Sequence, residues 1–278
     1  FPRELRPAFT TGILSSNYIG SALAPVVIVP LILWFGWRGM FQILGIVGLV
    51  YVFFYTLFVK QTKPQEETKE DKSKKNKYFL HLLKFSLIWK LILCAFCISC
   101  INKGLDAWMP TYLIAERGIN LKAVGYLTPI PFIASFLSTA VCGWVMNKYF
   151  DKKENWMIVI CAALTAIFLY FMYNAETIMW VVIFQCGVYF FKACILGTAV
   201  AIVLKIVTGS IAGSASTLIN MGGQVAGFIS PIIMGYLVYA FNGSFNAVFY
   251  YLMGVAALCA ISALLIPTRK EDMLDLEK

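Results

Sequence analysis

A chain of 278 residues that is 60% hydrophobic and only 13% charged, with a mean hydropathy of +0.77, has too little polar surface to solvate a globule; soluble domains average about 25% charged residues. The net charge of +9 would suit nucleic acid if it decorated a soluble fold, but its placement along the chain points to a membrane, so no nucleic-acid partner is expected. No segment alternates apolar-out and polar-in as a barrel strand does, and the expected fold class is all-α: a polytopic membrane protein of eight transmembrane helices.

The opening FPRELRPAF reads as a short basic loop leading into a helix, without a cleavable signal peptide. A start at Phe1 and not Met suggests a fragment of a longer chain. Eight apolar runs of 19 to 31 residues follow, at 8–34, 39–59, 85–114, 123–147, 155–173, 178–204, 211–241 and 245–267. Each is long enough to cross a hydrocarbon core of about 30 Å. The second and third are separated by KQTKPQEETKEDKSKKNK, a charged run without apolar periodicity that reads as a solvated cytoplasmic linker. The expected organisation is therefore 1–59, the last two helices of one bundle; 60–84, the linker; 85–267, a six-helix bundle; and 268–278, a cytoplasmic tail. If the six helices form one complete repeat, four further spans precede the first two.

Assigning loops alternately to two sides places seventeen basic residues on one side, from Arg3 and Arg6 through Lys60–Lys84, Lys148, Lys152, Lys153 and Lys205 to Arg269, Lys270 and Lys278. The other side receives three: Arg38, Arg117 and Lys122. The positive-inside rule makes the lysine-rich side cytoplasmic, together with both ends of the chain. One missed span would scramble that division.

Charges and polar groups inside the spans are few. Lys103 lies near the middle of the third span and Lys192 near the middle of the sixth, while Lys90 is close enough to an end to snorkel. A central lysine in a membrane helix reads as functional. Lys103 has an acid three residues on, Asp106, and the two can neutralise each other on one face or leave Lys103 turned to a ligand. The sixth span holds no acid, so Lys192 needs a partner on another helix, a water-filled cavity or an anionic ligand. In the seventh span Gly213, Thr217, Asn220 and Gln224 share a face that must meet protein or water. Gly12, Ser16, Gly20 and Ala24 make a face for close helix approach in the first. Gly104 and Pro110 in the third span, Pro129 and Pro131 in the fourth, and Gly222, Gly223, Gly227 and Pro231 in the seventh read as helix interruptions, which point to a transport site near the midplane.

All eight cysteines fall within spans, with Cys94, Cys97 and Cys100 as a stripe, and read as small packing residues. The single histidine, His81, lies in a loop with no acidic ligand near, so no metal is expected. No phosphate-cradling loop, nucleophile elbow or zinc spacing is present, and neither an enzyme nor a cofactor is expected.

Four stretches resemble the major facilitator superfamily, and within it the anion:cation symporters of sugar acids such as galactonate, glucarate and hexuronates. FPRELRPAFTTGILSSNYIGSALAP (1–25) resembles the loop and fifth helix, and FGWRGMFQILGIVG (35–48) the join into the sixth. WMPTYLIAERGINLKAVGYLTPIPF (108–132) resembles the seventh-to-eighth connection, with Trp108, Pro110 and Tyr112 matching the family's Trp-x-Pro-x-Tyr segment. IAGSASTLINMGGQVAGFISPIIMGYLVYAFNGSF (211–245) resembles the eleventh helix and its turn to the twelfth. GWVMNKYFDKK (143–153) is similar to the second copy of the family's Gly-x-x-x-Asp-Arg/Lys loop, with Asn147 in place of the acid.

The resemblance implies helices five to twelve of twelve. It places the conserved cationic substrate residue and the proton-coupling carboxylates in helices outside this chain. It implies a secondary transporter in the plasma (inner) membrane, working as a monomer among lipids by alternating access. The cargo would be a small organic anion, moved with a proton or another coupling ion. Asn17 and Asn220 match the family's polar contacts of the fifth and eleventh helices. Substrate-binding candidates are thus Asn17, Lys103, Lys192, Asn220 and Gln224, and gating candidates are Gly104, Pro110, Asn147 and Pro231. NKGLDAWMPTYL is also similar to the seventh helix of organophosphate:phosphate antiporters, although Asn102 stands where that family has arginine. A transporter-like sensor and an inactive truncated remnant are the remaining alternatives.

Overall fold

The computed structural model describes residues 6–58, 82–150, 153–206 and 212–266. Most of the linker expected at 60–84 and the tail at 268–278 lie outside the described residues, as do the side chains of Asn147, Lys205 and Gly213. Among the described residues every regular element is a helix: α1 (Arg6–Phe58), α2 (Ser86–Ala115), α3 (Leu121–Leu127), α4 (Pro129–Tyr149), α5 (Glu154–Tyr173), α6 (Ile178–Ile206), α7 (Ala212–Ala240) and α8 (Asn246–Leu264).

Seven of the described segments are long and apolar enough to cross a membrane. The first, Ser16–Phe58, is 43 residues, roughly 65 Å at 1.5 Å per residue, or about two crossings. The helix is interrupted once, at Gly36 (φ 68°, ψ 172°), backbone that only glycine adopts without strain. α1 therefore accommodates one span on each side of Gly36, where the sequence places runs 8–34 and 39–59, and the eight-span reading holds. The fourth run divides into α3 and α4 at Thr128, with Pro129 at the start of α4, where its missing N–H costs no helical bond.

Helix ends are set by local chemistry. Gly118 (φ 66°) follows α2 and lets the Ile119 amide donate to Leu113 O at 3.0 Å. Asn242 (φ 54°) does the same after α7, where Gly243 N donates to Val238 O at 2.8 Å. Asn120 caps α3, its Oδ1 accepting from Ala123 N at 2.8 Å.

α2 packs along α7 and α8 and also meets α6; α6 lies between α4 and α5; α5 continues to α8; α1 leans on α3 and α4. Two apolar clusters fill the interior. One, including Ile98, Ile158, Cys194 and Cys259, gathers toward the start of α2, and one, including Leu105, Tyr112, Leu169 and Phe249, toward its end. All eight cysteines are free thiols, seven of them buried, in keeping with a packing role.

The expected interruptions in α2 and α7 are not observed. α2 runs continuously through Gly104 and Pro110, and α7 through Gly222, Gly223, Gly227 and Pro231. The glycines serve close approach instead. A Cβ on Gly104 would fall 2.6 Å from Met234 Sδ and 2.9 Å from Ser230 Oγ of α7, and one on Gly223 would fall 2.7 Å from Ser99 Oγ of α2. Lipid offers no hydrophobic drive for helix association, so such small-residue contacts and interhelical hydrogen bonds hold this pair together.

Candidate functional site

Lys192 sits at the middle of α6 and is 1% exposed. Its Nζ donates to Asp106 Oδ1 of α2 at 2.8 Å and lies 3.4 Å from the centroid of the Tyr189 ring, one turn earlier on α6. The buried ammonium is thus met by a carboxylate on one side and an aromatic face on another. α4 fixes this arrangement. Ser135 Oγ donates to Tyr189 O at 2.9 Å, Ser138 Oγ to Phe190 O at 2.6 Å, and Phe132 stands edge-on to the Tyr189 ring at 5.2 Å. Gln185, also buried, lies one turn before Tyr189 on α6.

The Asp106 side chain is 36% exposed, against 2% for that of Lys192. The carboxylate therefore lies between the buried cation and an open face. Pro110 has no N–H to donate, so it also leaves the Asp106 backbone carbonyl without its helical partner. Lys103, Asp106 and Ala107 share this exposed face of α2. α7 continues it with Asn220 and Gln224, both exposed, Gln224 Nε2 donating to Asn220 Oδ1 at 3.3 Å. The stem of Lys103 crosses Gly227, whose carbonyl Pro231 likewise leaves without a helical donor. Trp108 Nε1 donates to Pro231 O at 3.0 Å, and Ser230 Oγ to Cys100 O at 2.9 Å, so α2 is fastened to two adjacent residues of α7.

The structure corrects one sequence expectation. Asp106 pairs with Lys192, on a helix 86 residues further on, and Lys103 has no ion-pair partner among the described residues. The intrahelical Lys103–Asp106 bridge is not formed, because Asp106 turns to the deeper ammonium, which has no other carboxylate. Lys192 is accordingly not an unpaired cation. Asn17 of α1 is exposed, and its neighbour Tyr18 packs against the cluster around Leu105 and lies within electrostatic reach of Asp106. Gly104 is occupied by helix packing. Tyr189 and Tyr18 were not among the sequence candidates. The spacing of Tyr189, three residues before Lys192 on one helical face, carried the signal for the first.

The eight-span helical architecture and this polar, part-charged wall are those of a polytopic membrane protein. The Major Facilitator Superfamily profile matches residues 1–191 and 156–277, and the chain belongs to that family of transporters, a multi-pass membrane protein and not an enzyme. Among its relatives, "Probable galactarate/D-glucarate transporter GudP" of Escherichia coli K12 is 27% identical over 177 residues, covering 62% of this chain and 38% of that protein. "Probable sulfoacetate transporter SauU" of Cupriavidus necator is 28% identical over 165 residues, 55% of this chain and 37% of that protein. "Hexuronate transporter" of Bacillus subtilis is 25% identical, over 56% of this chain and 39% of that protein. The chain thus spans less than two-fifths of the length of these curated relatives. Its fold is similar to the crystal structure of a bacterial homolog to the human lysosomal transporter Spinster, inward-facing and unoccupied. The TM-score is 0.65 at 14% identity, covering 99% of this chain and 73% of that one.

Proposed function

We propose that the whole protein is a secondary active transporter of a small organic anion of the sugar-acid class, coupled to protons and working by alternating access. The observation that carries this reading is the buried ammonium of Lys192 at mid-span, shielded by one carboxylate that borders an open polar face. A cation held at that depth is costly unless it has a partner, and an anion in a low-dielectric cavity is attracted strongly to it. The relatives named for galactarate or glucarate, hexuronate and sulfoacetate all carry names of anionic cargo. Asn220 and Gln224 would hydrogen-bond substrate hydroxyls, with Lys103 adding positive potential and Asn17 contributing from α1.

In this proposal residues 1–59 belong to one bundle and 85–267 to a second, joined by the cytoplasmic linker 60–84 and followed by the tail 268–278. The two bundles rock around the site in the plasma membrane. The seventeen-to-three division of basic residues supports cytoplasmic ends. Single cysteines at Ser73 and Asn174, in a protein lacking its native cysteines, are expected to label from opposite faces; labelling of both from outside would refute that topology.

Function is tested by reconstituting the full-length protein in proteoliposomes and measuring radiolabelled D-glucarate, D-galactonate and sulfoacetate under an imposed pH gradient. Saturable uptake of one of these, driven by inward proton movement, is expected. Exchange of a phosphate ester for inorganic phosphate, with no organic-acid uptake, would overturn the reading in favour of an antiporter.

A further inference from the structure

Of the 14 acidic residues in the chain, Asp106 alone falls inside a predicted span; Glu116 ends α2, Glu154 begins α5, Glu176 lies between α5 and α6, and the others lie in the opening loop, the linker, the 148–154 loop or the tail. The single histidine is in the linker. The one carboxylate at depth is also the group that occupies Lys192. We propose that Asp106 is the proton-sensing carboxylate of this bundle and that it and the substrate anion compete for Lys192. The inference rests on the proposed anion transport and adds to it a coupling site among these eight spans, in addition to the carboxylates that the family resemblance places upstream.

The geometry supports the exchange. Asp106 presents a single oxygen, Oδ1, to Lys192 and is the less buried member of the pair, 36% exposed against 2%, so it stands between the buried ammonium and the polar face. Tyr189 holds the ammonium from the other side, so Lys192 keeps its position when the carboxylate leaves. The charged and titratable groups around the pair are few. Among the described residues they are Lys103 on α2, Tyr189 on α6 and Tyr18 on α1, with the buried thiols Cys142 of α4 and Cys194 of α6 within reach of Tyr18. α7 and α8 contain no charged residue, and Tyr251 of α8 donates to Ser230 Oγ of α7 at 3.3 Å. Among the described residues, Asp106 is the carboxylate that acts on Lys192.

The step balances without any change to the substrate. A proton from the aqueous side adds to the Asp106 carboxylate, the Nζ–H bond to Oδ1 is released, and Lys192, still protonated, donates to the anion. After the site opens to the opposite side the anion leaves, the carboxyl returns its proton to water, and Oδ1 accepts from Lys192 again. One proton and one anion have crossed together. Anion affinity therefore rises as pH falls, because protonation removes the internal competitor.

The test measures equilibrium binding of radiolabelled D-glucarate to the purified full-length protein at acidic and alkaline pH, with D-galactonate and sulfoacetate as alternative probes, alongside proton-driven accumulation in proteoliposomes. Wild type is expected to bind about tenfold more tightly on the acidic side. Asp106→Asn, which imitates the protonated carboxyl, is expected to bind with the acidic-side affinity at both pH values and to lose accumulation. Asp106→Glu, which restores a titratable group, is expected to regain both the pH dependence and accumulation, with an altered midpoint. If Asp106→Asn keeps the wild-type pH profile and accumulation, the proposal is wrong while anion transport stands. If Asp106→Asn does not insert, a pH-independent Asp106→Glu overturns the proposal equally. Wild-type affinity and accumulation in Asp106→Asn/Lys192→Gln would reduce the pair to a structural bridge. Absence of binding to any of the three anions by wild type would instead remove the transport reading on which the inference rests.

Discussion

The stretch of α1 after Gly36 and the helix α2 are both apolar enough to cross a membrane, yet they behave differently. The segment Ser16–Phe58 is the more apolar, yet almost none of its apolar stretch is buried, whereas about half of the apolar stretch of Ser86–Ala115 is. After Gly36, Met40 is the sole buried residue of α1. The one hydroxyl bond in that stretch, Thr56 Oγ1 to Phe53 O at 2.8 Å, stays within its own helix. In α2, α4 and α7, glycine, serine and tryptophan reach neighbouring helices. Apolarity selects what enters the bilayer, whereas small and polar residues at matching levels decide what packs. The aromatic wall from Tyr51 to Phe58 is left as a surface for lipid or for another part of the protein.

The sharpest way to break this contrast is to remove a partner in the packed region. Asp106→Ala leaves the buried Lys192 ammonium uncompensated and is expected to cost roughly 3–5 kcal/mol, read as thermal unfolding of the full-length protein in detergent. Phe53→Ala, on the exposed stretch, should change it by less than about 0.5 kcal/mol. Equal losses would mean that burial in the described helices does not govern stability.

A smaller effect separates two glycines. Gly104→Val drives side-chain atoms into Met234 and Ser230, with a strain of about 1–3 kcal/mol. Gly48→Ala meets nothing within 4 Å and should be neutral or stabilising by up to about 1 kcal/mol, through helix propensity. Destabilisation by the second substitution would show that the exposed stretch packs against something tight.

These glycines also show how far the sequence could be read. Run lengths located the spans, because crossing length is a property of one segment at a time. The runs 155–173 and 178–204 lie within two residues of α5 and α6 at each end. Gly104, Pro110 and Pro231 were legible as special positions but not as to kind. A helix is broken or merely approached depending on what faces it, and that information lies on another helix. The same limit hid the partner of Asp106. Spacing within one helix offers Lys103 three residues away, whereas the ion pair forms across 86 residues with a lysine whose own span has no acid. Asn220 and Gln224 were correctly grouped on one face, since that grouping needs only helical period.

The smallest predicted effect lies at the end of α2, where Glu116 Oε2 accepts from the Phe245 amide at 2.9 Å and ties α2 to the turn before α8. Glu116→Ala should cost about 1 kcal/mol and quicken hydrogen exchange at Phe245. Unchanged exchange would place the restraint on that turn in the ring contacts of Tyr112 with Phe245 and Phe249 at 5.4 and 5.2 Å.

The central claim is that Lys192 supplies the positive charge met by the transported anion. It is tested most directly by the affinity of the purified full-length Lys192→Gln protein for radiolabelled D-glucarate, on material verified as folded and inserted. The predicted result is binding weaker by about 10- to 100-fold, roughly 1.4–2.7 kcal/mol, at acidic pH, where Asp106 no longer competes for the ammonium. An affinity within about twofold of wild type would contradict it and assign the countercharge to another residue.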